Sequence, residues 1–355
     1  MEKKYSINVT ERVLHFRQPA GTSRGVYTTR RSWFVTVSDG SNEGVGECAP
    51  LPDLSCDALP PERYAEVLRR FCDQVEQSGQ IDFEAMRDYP SMLFGLETAL
   101  ASVGSPRLFD TAFSRGEVGI PINGLVWMGT YDEMLARMEE KLRLGFSCIK
   151  LKIGAIDFDR ELDLVKRIRD RFSPREVQLR LDANGAFRYD EALYKLELLS
   201  QYAIHSIEQP IPAAFSPRAQ REMGGGWGNM AELCRDAPLP IALDEELIGV
   251  NEPSQKWQML HIIKPAYIIL KPSLHGGMAG CREWIELARE EGIGSWMTSA
   301  LESNVGLNAI AQFCSAVYGD RISLPQGLGT GQLFTDNIPM PLEIRGDRLW
   351  VAKTE

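Results

Sequence analysis

Short apolar or β-branched runs alternate with longer amphipathic stretches from about residue 119 onward. This alternation is typical of strand–helix units that build a parallel sheet. The apolar runs end near Leu125, Lys152, Asp182, Glu208, Asp244, Lys271, Thr298 and Gly327. Consecutive ends lie about 30 residues apart, the length that one strand, one helix and two loops require. Eight such units predict a closed barrel, because an open doubly wound sheet more often has five or six strands and a Gly-rich first turn.

Helical periodicity marks the segments between these runs. Residues 131–144 carry apolar side chains at positions 134, 135, 138, 142 and 144, and Gly145 follows as a stop signal. Similar patterns predict helices over residues 159–171, 280–291 and 305–318. Between the fourth and fifth strands, residues 218–229 form a Gly-rich insertion that we expect to be a mobile loop.

The first 118 residues follow a different pattern and predict a compact α+β unit. Two alternating runs, RSWFVTV and EGVGEC, flank the turn signal SDGSN and predict a hairpin. Two helical stretches follow, at residues 61–77 and 91–102. Residues 19–30 are rich in Gly, Ser, Thr and Arg, so we expect a flexible lid there. The tail after Asp336 returns to strand-like segments, for which we expect pairing with the N-terminal unit.

These patterns divide the chain into two predicted domains. The α+β domain comprises residues 1–118 together with 336–355, and the barrel comprises residues 119–335. A length of 355 residues agrees with two domains.

Composition excludes several classes of protein. A formal net charge of −10, with no basic run interleaved with aromatics, argues against nucleic acid as a partner. No stretch has the roughly 18 apolar residues of a membrane span, and the N-terminus lacks the apolar core of a signal peptide, which predicts a cytoplasmic protein without membrane contact. The seven cysteines have no CxxC spacing, so we expect reduced core thiols rather than disulfides or a zinc site. The oligomeric state is not predicted.

Three successive strands of the predicted barrel end in carboxylates, namely Asp182, Glu208 and Asp244. A single acidic residue before a turn is often only a loop former. On adjacent strands of one barrel, however, the three side chains would point at a common centre, and a cation would be needed to keep all three ionised. Oxygen ligands without paired His or Cys predict Mg²⁺, with Mn²⁺ able to substitute for it.

Lysines accompany the carboxylates. Lys150 and Lys152 are two residues apart on the second strand and therefore share one face, although an exposed edge strand would show the same alternation. Lys271 ends the most hydrophobic run, on the strand opposite. Three carboxylates, one Mg²⁺ and two protonated lysines leave an excess of one positive charge, so the site should favour a small anionic substrate. Either lysine could act as the base that removes a proton next to a carboxylate.

The motifs KLK, DAN, EQP, DEE and LKPS, in this order and on successive strands, resemble the enolase superfamily and its muconate-lactonizing-enzyme subgroup. The resemblance implies an α/β fold, a modified TIM barrel of (β/α)7β type with an α+β capping domain formed by the N-terminal segment and the C-terminal tail. It implies Mg²⁺ ligands at Asp182, Glu208 and Asp244, catalytic lysines at Lys152 and Lys271, an electrostatic role for Lys150, and supporting roles for Asn184 and Glu245.

Further segments, GECAPLPDLS, TSALESNVGLNAIAQ and PQGLGTGQLF, resemble the o-succinylbenzoate synthase family, the hydro-lyases of menaquinone biosynthesis. That resemblance implies that Lys152 serves as both base and acid, and that Lys271 stabilises the developing negative charge. It also implies substrate contacts from Thr298, Ser299 and the backbone near Gly327.

Two other functions stay open at this point. Racemisation of N-acylamino acids or epimerisation of dipeptides needs a proton acceptor on each face, which Lys152 and Lys271 also supply. Dipeptide epimerases commonly carry an Asp-x-Asp pair near the eighth strand, whereas this chain has QGLGTGQL, which argues against a cationic dipeptide. A non-catalytic metabolite-binding barrel is disfavoured, because a protein without catalysis would tend to lose such costly buried charges.

Overall fold

The computed structural model describes residues 4–22 and 25–352. An antiparallel sheet in the order β1 (Ser6–Thr22), β2 (Gly25–Ser38), β3 (Glu43–Cys48) begins the chain, followed by the helices α1 (Pro61–Ser78) and α2 (Pro90–Ala101). The helices pack on this sheet around a stacked pair of rings, Trp33 and Tyr64, whose centroids are 4.2 Å apart. The predicted hairpin is confirmed by the pairing of β2 with β3.

The segment expected to be a flexible lid is a hairpin in its described part. Ala20 pairs with Tyr27. Strand β1 extends to Thr22, and strand β2 begins at Gly25. The loop prediction was therefore wrong there, because the run VYTT after Gly25 has the β-branched and aromatic residues that favour strands. Residues 23 and 24 of the predicted lid lie outside the described residues.

A parallel barrel sheet forms the second part of the chain, after the short strand β4 (Ile120–Pro121). Its strands, in spatial order, are β5 (Gly124–Val126), β6 (Cys148–Lys152), β7 (Gln178–Asp182), β8 (Ser206–Glu208), β9 (Ile241–Leu243), β10 (Tyr267–Leu270) and β11 (Gly294–Met297). At the eighth position Gln326 bridges to Ile122 and Gly327 bridges to Thr298, both in parallel. The predicted barrel is thus confirmed, and its eighth strand is reduced to two bridging residues, Gln326 and Gly327.

Helices connect the barrel strands as the periodicity predicts. They are α3 (Tyr131–Arg143), α4 (Phe158–Arg171), α5 (Tyr189–Ser200), α6 (Pro217–Met223), α7 (Gly228–Asp236), α8 (Pro253–Ile263), α9 (Gly277–Glu290) and α10 (Asn304–Tyr318). The start of α3 shows why the local sequence folds this way: Thr130 accepts from the Glu133 N–H, and the Glu133 carboxylate accepts from the Thr130 N–H. No helix in the described part of the chain is long and apolar enough to cross a bilayer.

The Gly-rich insertion is more ordered than expected. Residues 217–223 and 228–236 are the helices α6 and α7, and the turn between them uses Gly224, Gly225 and Gly226 with positive φ. Arg218 of α6 donates to the Gly185 carbonyl at 2.9 Å, in the loop that follows β7. The insertion is therefore not a free loop, because it is fastened to the rim of the barrel.

The tail follows its prediction only in part. Strands β12 (Leu342–Arg345) and β13 (Arg348–Val351) form a hairpin, and β13 pairs with β4 at the start of the barrel rather than with the N-terminal unit. The segment before this hairpin does contact the N-terminal sheet: the His15 N–H donates to Asp336 Oδ1 at 2.8 Å, and the Arg17 N–H donates to the Leu333 carbonyl at 2.8 Å. The domain limits at residues 118/119 and 335/336 stay a prediction.

Candidate active site

The predicted site residues converge at the carboxyl ends of the barrel strands. Parallel register places Lys152 of β6 beside Asp182 of β7, and Asp182 beside Glu208 of β8. Asp244 directly follows β9, and Lys271 directly follows β10. β6 and β10 are four positions apart in the eight-fold order, so Lys152 and Lys271 face each other across the mouth. A cavity of about 100 Å³ lies between them.

Lysine ammonium groups connect the carboxylates. Lys150 Nζ lies 2.9 Å from Asp182 Oδ2 and 2.5 Å from Glu208 Oε2. Lys152 Nζ lies 3.1 Å from the same Asp182 oxygen. Lys271 Nζ donates to Asp244 Oδ2 at 2.5 Å. Because the three carboxylates, Lys150 and Lys152 are buried and Lys271 is only 12% exposed, their charges interact through a medium of low effective dielectric constant.

This arrangement moves the pKa values of the acids in different directions. Burial alone would raise the pKa of Asp182, but the ammonium groups of Lys150 and Lys152 hold it well below its ordinary value. Burial and the neighbouring Asp182 charge raise the pKa of Glu208 well above the usual range. Asp182 and Glu208 share the Lys150 ammonium, so the ionisation of one carboxyl affects that of the other.

The lysines respond to the same charges. Burial lowers the pKa of Lys271, but the Asp244 and Glu208 carboxylates outweigh it and raise the pKa above its ordinary value. Lys150 behaves likewise, since Asp182 and Glu208 more than offset its burial and raise its pKa. The carboxylates beside Lys150 and Lys271 therefore favour the protonated form of both lysines.

Asn184 and Glu245, expected as supporting residues, form a chain that reaches Lys152. Asn184 Oδ1 accepts from Lys152 Nζ at 2.7 Å, and Asn184 Nδ2 donates to Glu245 Oε1 at 3.1 Å. Asn184 has a φ of 44°, a left-handed conformation that Asn tolerates better than most residues. The DAN motif thus places one amide where it orients the Lys152 ammonium.

The residues expected to contact substrate line the same cavity. Gly327 pairs with Thr298, and a Cβ at Gly327 would come 2.4 Å from Thr298 Oγ1, so only glycine fits there. The buried Thr298 hydroxyl has no hydrogen-bond partner among the described residues. Ser299 Oγ lies 2.6 Å from the Thr330 hydroxyl. Thr298 therefore offers a polar group to a ligand, whereas Ser299 is already bonded.

Sequence reasoning missed two kinds of site residue. Gln209 fixes the backbone that follows β9. Its Oε1 accepts from the Asp244 and Glu246 N–H groups at 3.2 Å, and its Nε2 donates to Glu246 Oε2 at 3.0 Å. The EQP and DEE motifs contain both partners and could have indicated this contact. The apolar wall was also missed; it comprises Leu51, Leu54, Leu125, Trp127, Ala300 and Leu301.

The donor set fits a hard divalent cation. Asp182, Glu208 and Asp244 supply only oxygen, and buried Glu208 Oε1 and Asp244 Oδ1 accept no hydrogen bond within the described ranges. Over residues 4–22 and 25–352, however, no group of three His, Cys, Asp or Glu side chains is arranged as a finished metal site. Lys150 lies between two of the carboxylates, at the distances given above, and a cation would have to displace it.

Two lysines face each other over a carboxylate cluster at the mouth of a (β/α) barrel, and an α+β unit lies beside it. This arrangement is typical of barrel enzymes that remove a proton from the carbon next to a carboxylate. Comparison with known proteins agrees. Residues 133–353 match the family described as enolase C-terminal domain-like, and residues 5–103 match the MenC N-terminal domain. The chain belongs to the o-succinylbenzoate synthase family of the enolase superfamily.

Relatives and solved structures place the chain further. The o-succinylbenzoate synthase of Desulfotalea psychrophila is 44% identical over 96% of this chain and 97% of its own, and that of Yersinia enterocolitica is 26% identical over 91% and 92%. The crystal structure of MenC from Desulfotalea psychrophila is 40% identical, with a TM-score of 0.79 over 98% of this chain and 100% of that one. Muconate lactonizing enzyme from Pseudomonas fluorescens has a TM-score of 0.81 over 99% and 95% at 22% identity, which shows the fold alone.

Proposed function

We propose that this chain is an o-succinylbenzoate synthase, a Mg²⁺-dependent hydro-lyase of menaquinone biosynthesis. Its substrate would be 2-succinyl-6-hydroxy-2,4-cyclohexadiene-1-carboxylate, and its product o-succinylbenzoate. The observation that carries this proposal is the pair of facing lysines, Lys152 and Lys271, beside buried carboxylates, in a chain 44% identical to an enzyme of that name. A cytoplasmic location remains part of the proposal.

Asp182, Glu208 and Asp244 would hold the ion, since they offer the oxygen ligands that Mg²⁺ prefers. A bound divalent ion supplies a Lewis acid that stabilises negative charge on the substrate carboxylate. Lys150, which now shares its ammonium between Asp182 and Glu208, would keep excess positive charge beneath the site. An anionic substrate is therefore favoured over a neutral one.

Lys152 performs the proton transfer in this proposal. In its amine form, Nζ takes the proton from the ring carbon that bears the carboxylate, and the electron pair of the broken C–H bond is delocalised into that carboxylate. The pair then returns to form a C=C bond as the ring C–O bond breaks. Lys152 gives the same proton to the departing hydroxide on the same face, so that water leaves and the ring becomes aromatic. Asn184 orients Nζ during both transfers.

Lys271 stays protonated and acts electrostatically. The contact of its ammonium with Asp244 Oδ2 and its place at the edge of the cavity support this role. Its position opposite Lys152 puts positive charge on the second face of the substrate. The charge that develops on the substrate is thereby stabilised from both sides.

Replacing Lys152 by alanine tests the assignment of the base. We expect Lys152→Ala to lose dehydration, measured by the rising ultraviolet absorbance of the aromatic product, while still binding Mg²⁺ in calorimetry. Lys166→Ala, on the exposed face of α4, is the matched control and should keep full activity. Near-normal turnover of Lys152→Ala would remove this residue from the mechanism.

Isotope exchange separates dehydration from racemisation. In D₂O we expect the wild-type protein to make the aromatic product and to exchange the α-proton of N-acylamino acids slowly or not at all. Fast exchange without aromatic product would favour a racemase that uses Lys271 as the second base. If the protein binds Mg²⁺ but catalyses neither reaction, a metabolite-binding barrel is favoured.

A further inference from the structure

Arg30 of β2 lies at the junction between the N-terminal unit and the barrel, and its side chain is only 3% exposed. Its guanidinium donates to carbonyl groups on both sides of this junction. Nη1 bonds the Pro50 carbonyl and Nη2 bonds that of Ala49 at 2.5 Å. Nε and Nη2 reach the carbonyls of Leu301 and Ala300, each at 3.3 Å. One side chain therefore joins two loops that are about 250 residues apart in sequence.

Both loops supply the apolar wall of the catalytic cavity. In the first loop, Leu51 directly follows the two carbonyls and Leu54 lies three residues further on. In the second loop, Ala300 and Leu301 themselves carry the carbonyls. Leu301 has a φ of 65°, a left-handed conformation that is unfavourable for a leucine and has to be held by its surroundings. The bond from Arg30 to the Leu301 carbonyl is one of the contacts that hold it.

Two buried carboxylates, Glu47 and Glu302, complete the junction. Burial lowers the pKa of Arg30, and the nearby charges of Glu302 and Glu47 oppose that effect. Glu302 accepts from the Ala300 N–H at 2.6 Å, and Glu47 accepts from the Ser303 N–H at 3.0 Å. The second loop is thus held through its N–H groups by carboxylates and through its carbonyl groups by the guanidinium.

We propose that Arg30 is a positioning residue for the reaction, which fixes the loop of residues 49–54 against the loop of residues 299–303 so that their leucines form one wall for the substrate ring. Arg30 does not line the cavity itself, so its effect would act through the positions of Leu51, Leu54 and Leu301. A single ammonium cannot replace the planar guanidinium, which spans four carbonyls at once. This inference rests on the proposed function for the identity of the ligand, but not for the geometry of the two loops.

Arg169 of α4 provides a matched control. It also donates to three backbone carbonyls: Tyr202 at 2.7 Å, Val177 at 2.8 Å and Ala203 at 3.2 Å. These residues precede β7 and β8, so they lie at the end of the barrel away from the site. A substitution of Arg169 removes the same type of contact without touching the wall of the cavity.

The test compares Arg30→Lys with Arg169→Lys in the full-length chain with Mg²⁺. We expect Arg30→Lys to raise KM about tenfold or more, a loss of about 1.4 kcal/mol in binding, with a smaller change in kcat. Amide hydrogen exchange should accelerate in residues 49–54 and 299–303. Arg169→Lys should leave KM and both segments unchanged. Arg30→Ala should regain part of its substrate affinity when guanidinium is added at concentrations too low to denature the protein.

The outcomes separate this inference from the proposed function. Unchanged KM and unchanged exchange in Arg30→Lys, or an equal rise of KM in Arg169→Lys, would overturn the positioning role. If Arg30→Lys does not fold, guanidinium rescue of Arg30→Ala decides the question, and no rescue counts against the role. If the wild-type protein does not dehydrate the proposed substrate, the proposed function fails, and hydrogen exchange still decides whether Arg30 holds the two loops.

Discussion

Replacing Lys150 by methionine probes the competition between lysine and metal at the site. Lys150 Nζ contacts Asp182 Oδ2 at 2.9 Å and Glu208 Oε2 at 2.5 Å, and it is buried with them. Methionine keeps the length and apolar stem of the side chain but removes the ammonium. Glu208 would then lose the ammonium that it pairs with, and Asp182 would keep only its contact with Lys152, unless a cation takes the place of Lys150.

The structure allows the size of this effect to be worked out. Removing one partner of a buried ion pair costs about 3 to 5 kcal/mol. We therefore expect Lys150→Met to lose about that much unfolding free energy in the absence of metal. An ion present at 100 times its dissociation constant returns about 2.7 kcal/mol, and it should bind the variant more tightly because no ammonium has to be displaced.

Chemical denaturation with and without Mg²⁺ measures both quantities. Lys256→Met is the control: Lys256 is also buried and pairs with Glu283 at 2.7 Å, but it lies on α8, outside the site. The control should also lose unfolding free energy, but Mg²⁺ should raise its unfolding free energy only by as much as it raises that of the wild type. Competition between Lys150 and the metal ion is ruled out if Lys150→Met is as stable as wild type without metal, or if Mg²⁺ stabilises it no more than Lys256→Met.

Two further predictions concern the support of the site and the N-terminal unit. Asn184→Gly, which keeps the positive φ but removes the amide that bonds Lys152, should lower kcat by about 10²-fold with little change in Mg²⁺ affinity, as steady-state kinetics and calorimetry would show. Burial raises the pKa of Asp57 to about 6 in the folded protein. The protein therefore loses stability as the pH rises from the pKa of this carboxyl in the unfolded chain through 6, because the buried carboxyl then has to ionise. Asp57→Asn keeps an acceptor for Ser91, and relative to this variant the wild-type unfolding free energy should fall by about 1.3 kcal/mol between pH 5 and 7 in urea denaturation. Equal activity in the first case, or parallel pH profiles in the second, would contradict these predictions.

The barrel and its charged residues could be predicted from the sequence because both depend on local pattern. Each βα unit repeats within about 30 residues, and the parallel register puts strand ends side by side. Knowing that Asp182 and Glu208 end neighbouring strands is therefore enough to bring them together. The roles assigned to these residues remain predictions.

Other features could not be predicted, since they depend on contacts between distant parts of the chain. The tail hairpin pairs with the short strand Ile120–Pro121, and no local sequence pattern indicates this pairing. The apolar wall combines Leu51 with Leu301, and Arg30 joins their loops through backbone carbonyls that every sequence contains. The helices beside Gly224 were hidden by a glycine cluster that turns out to be only the turn between them.

The proposed mechanism requires one divalent ion and one carbon acid to meet between Lys152 and Lys271. A crystal structure of the protein with Mg²⁺ and o-succinylbenzoate is the decisive experiment. We expect the ion on Asp182, Glu208 and Asp244, the ring carboxylate beside it, and Lys152 Nζ within hydrogen-bond reach of the product's reacting face. An ion bound elsewhere, or a product that lies away from both lysines, would rule this mechanism out.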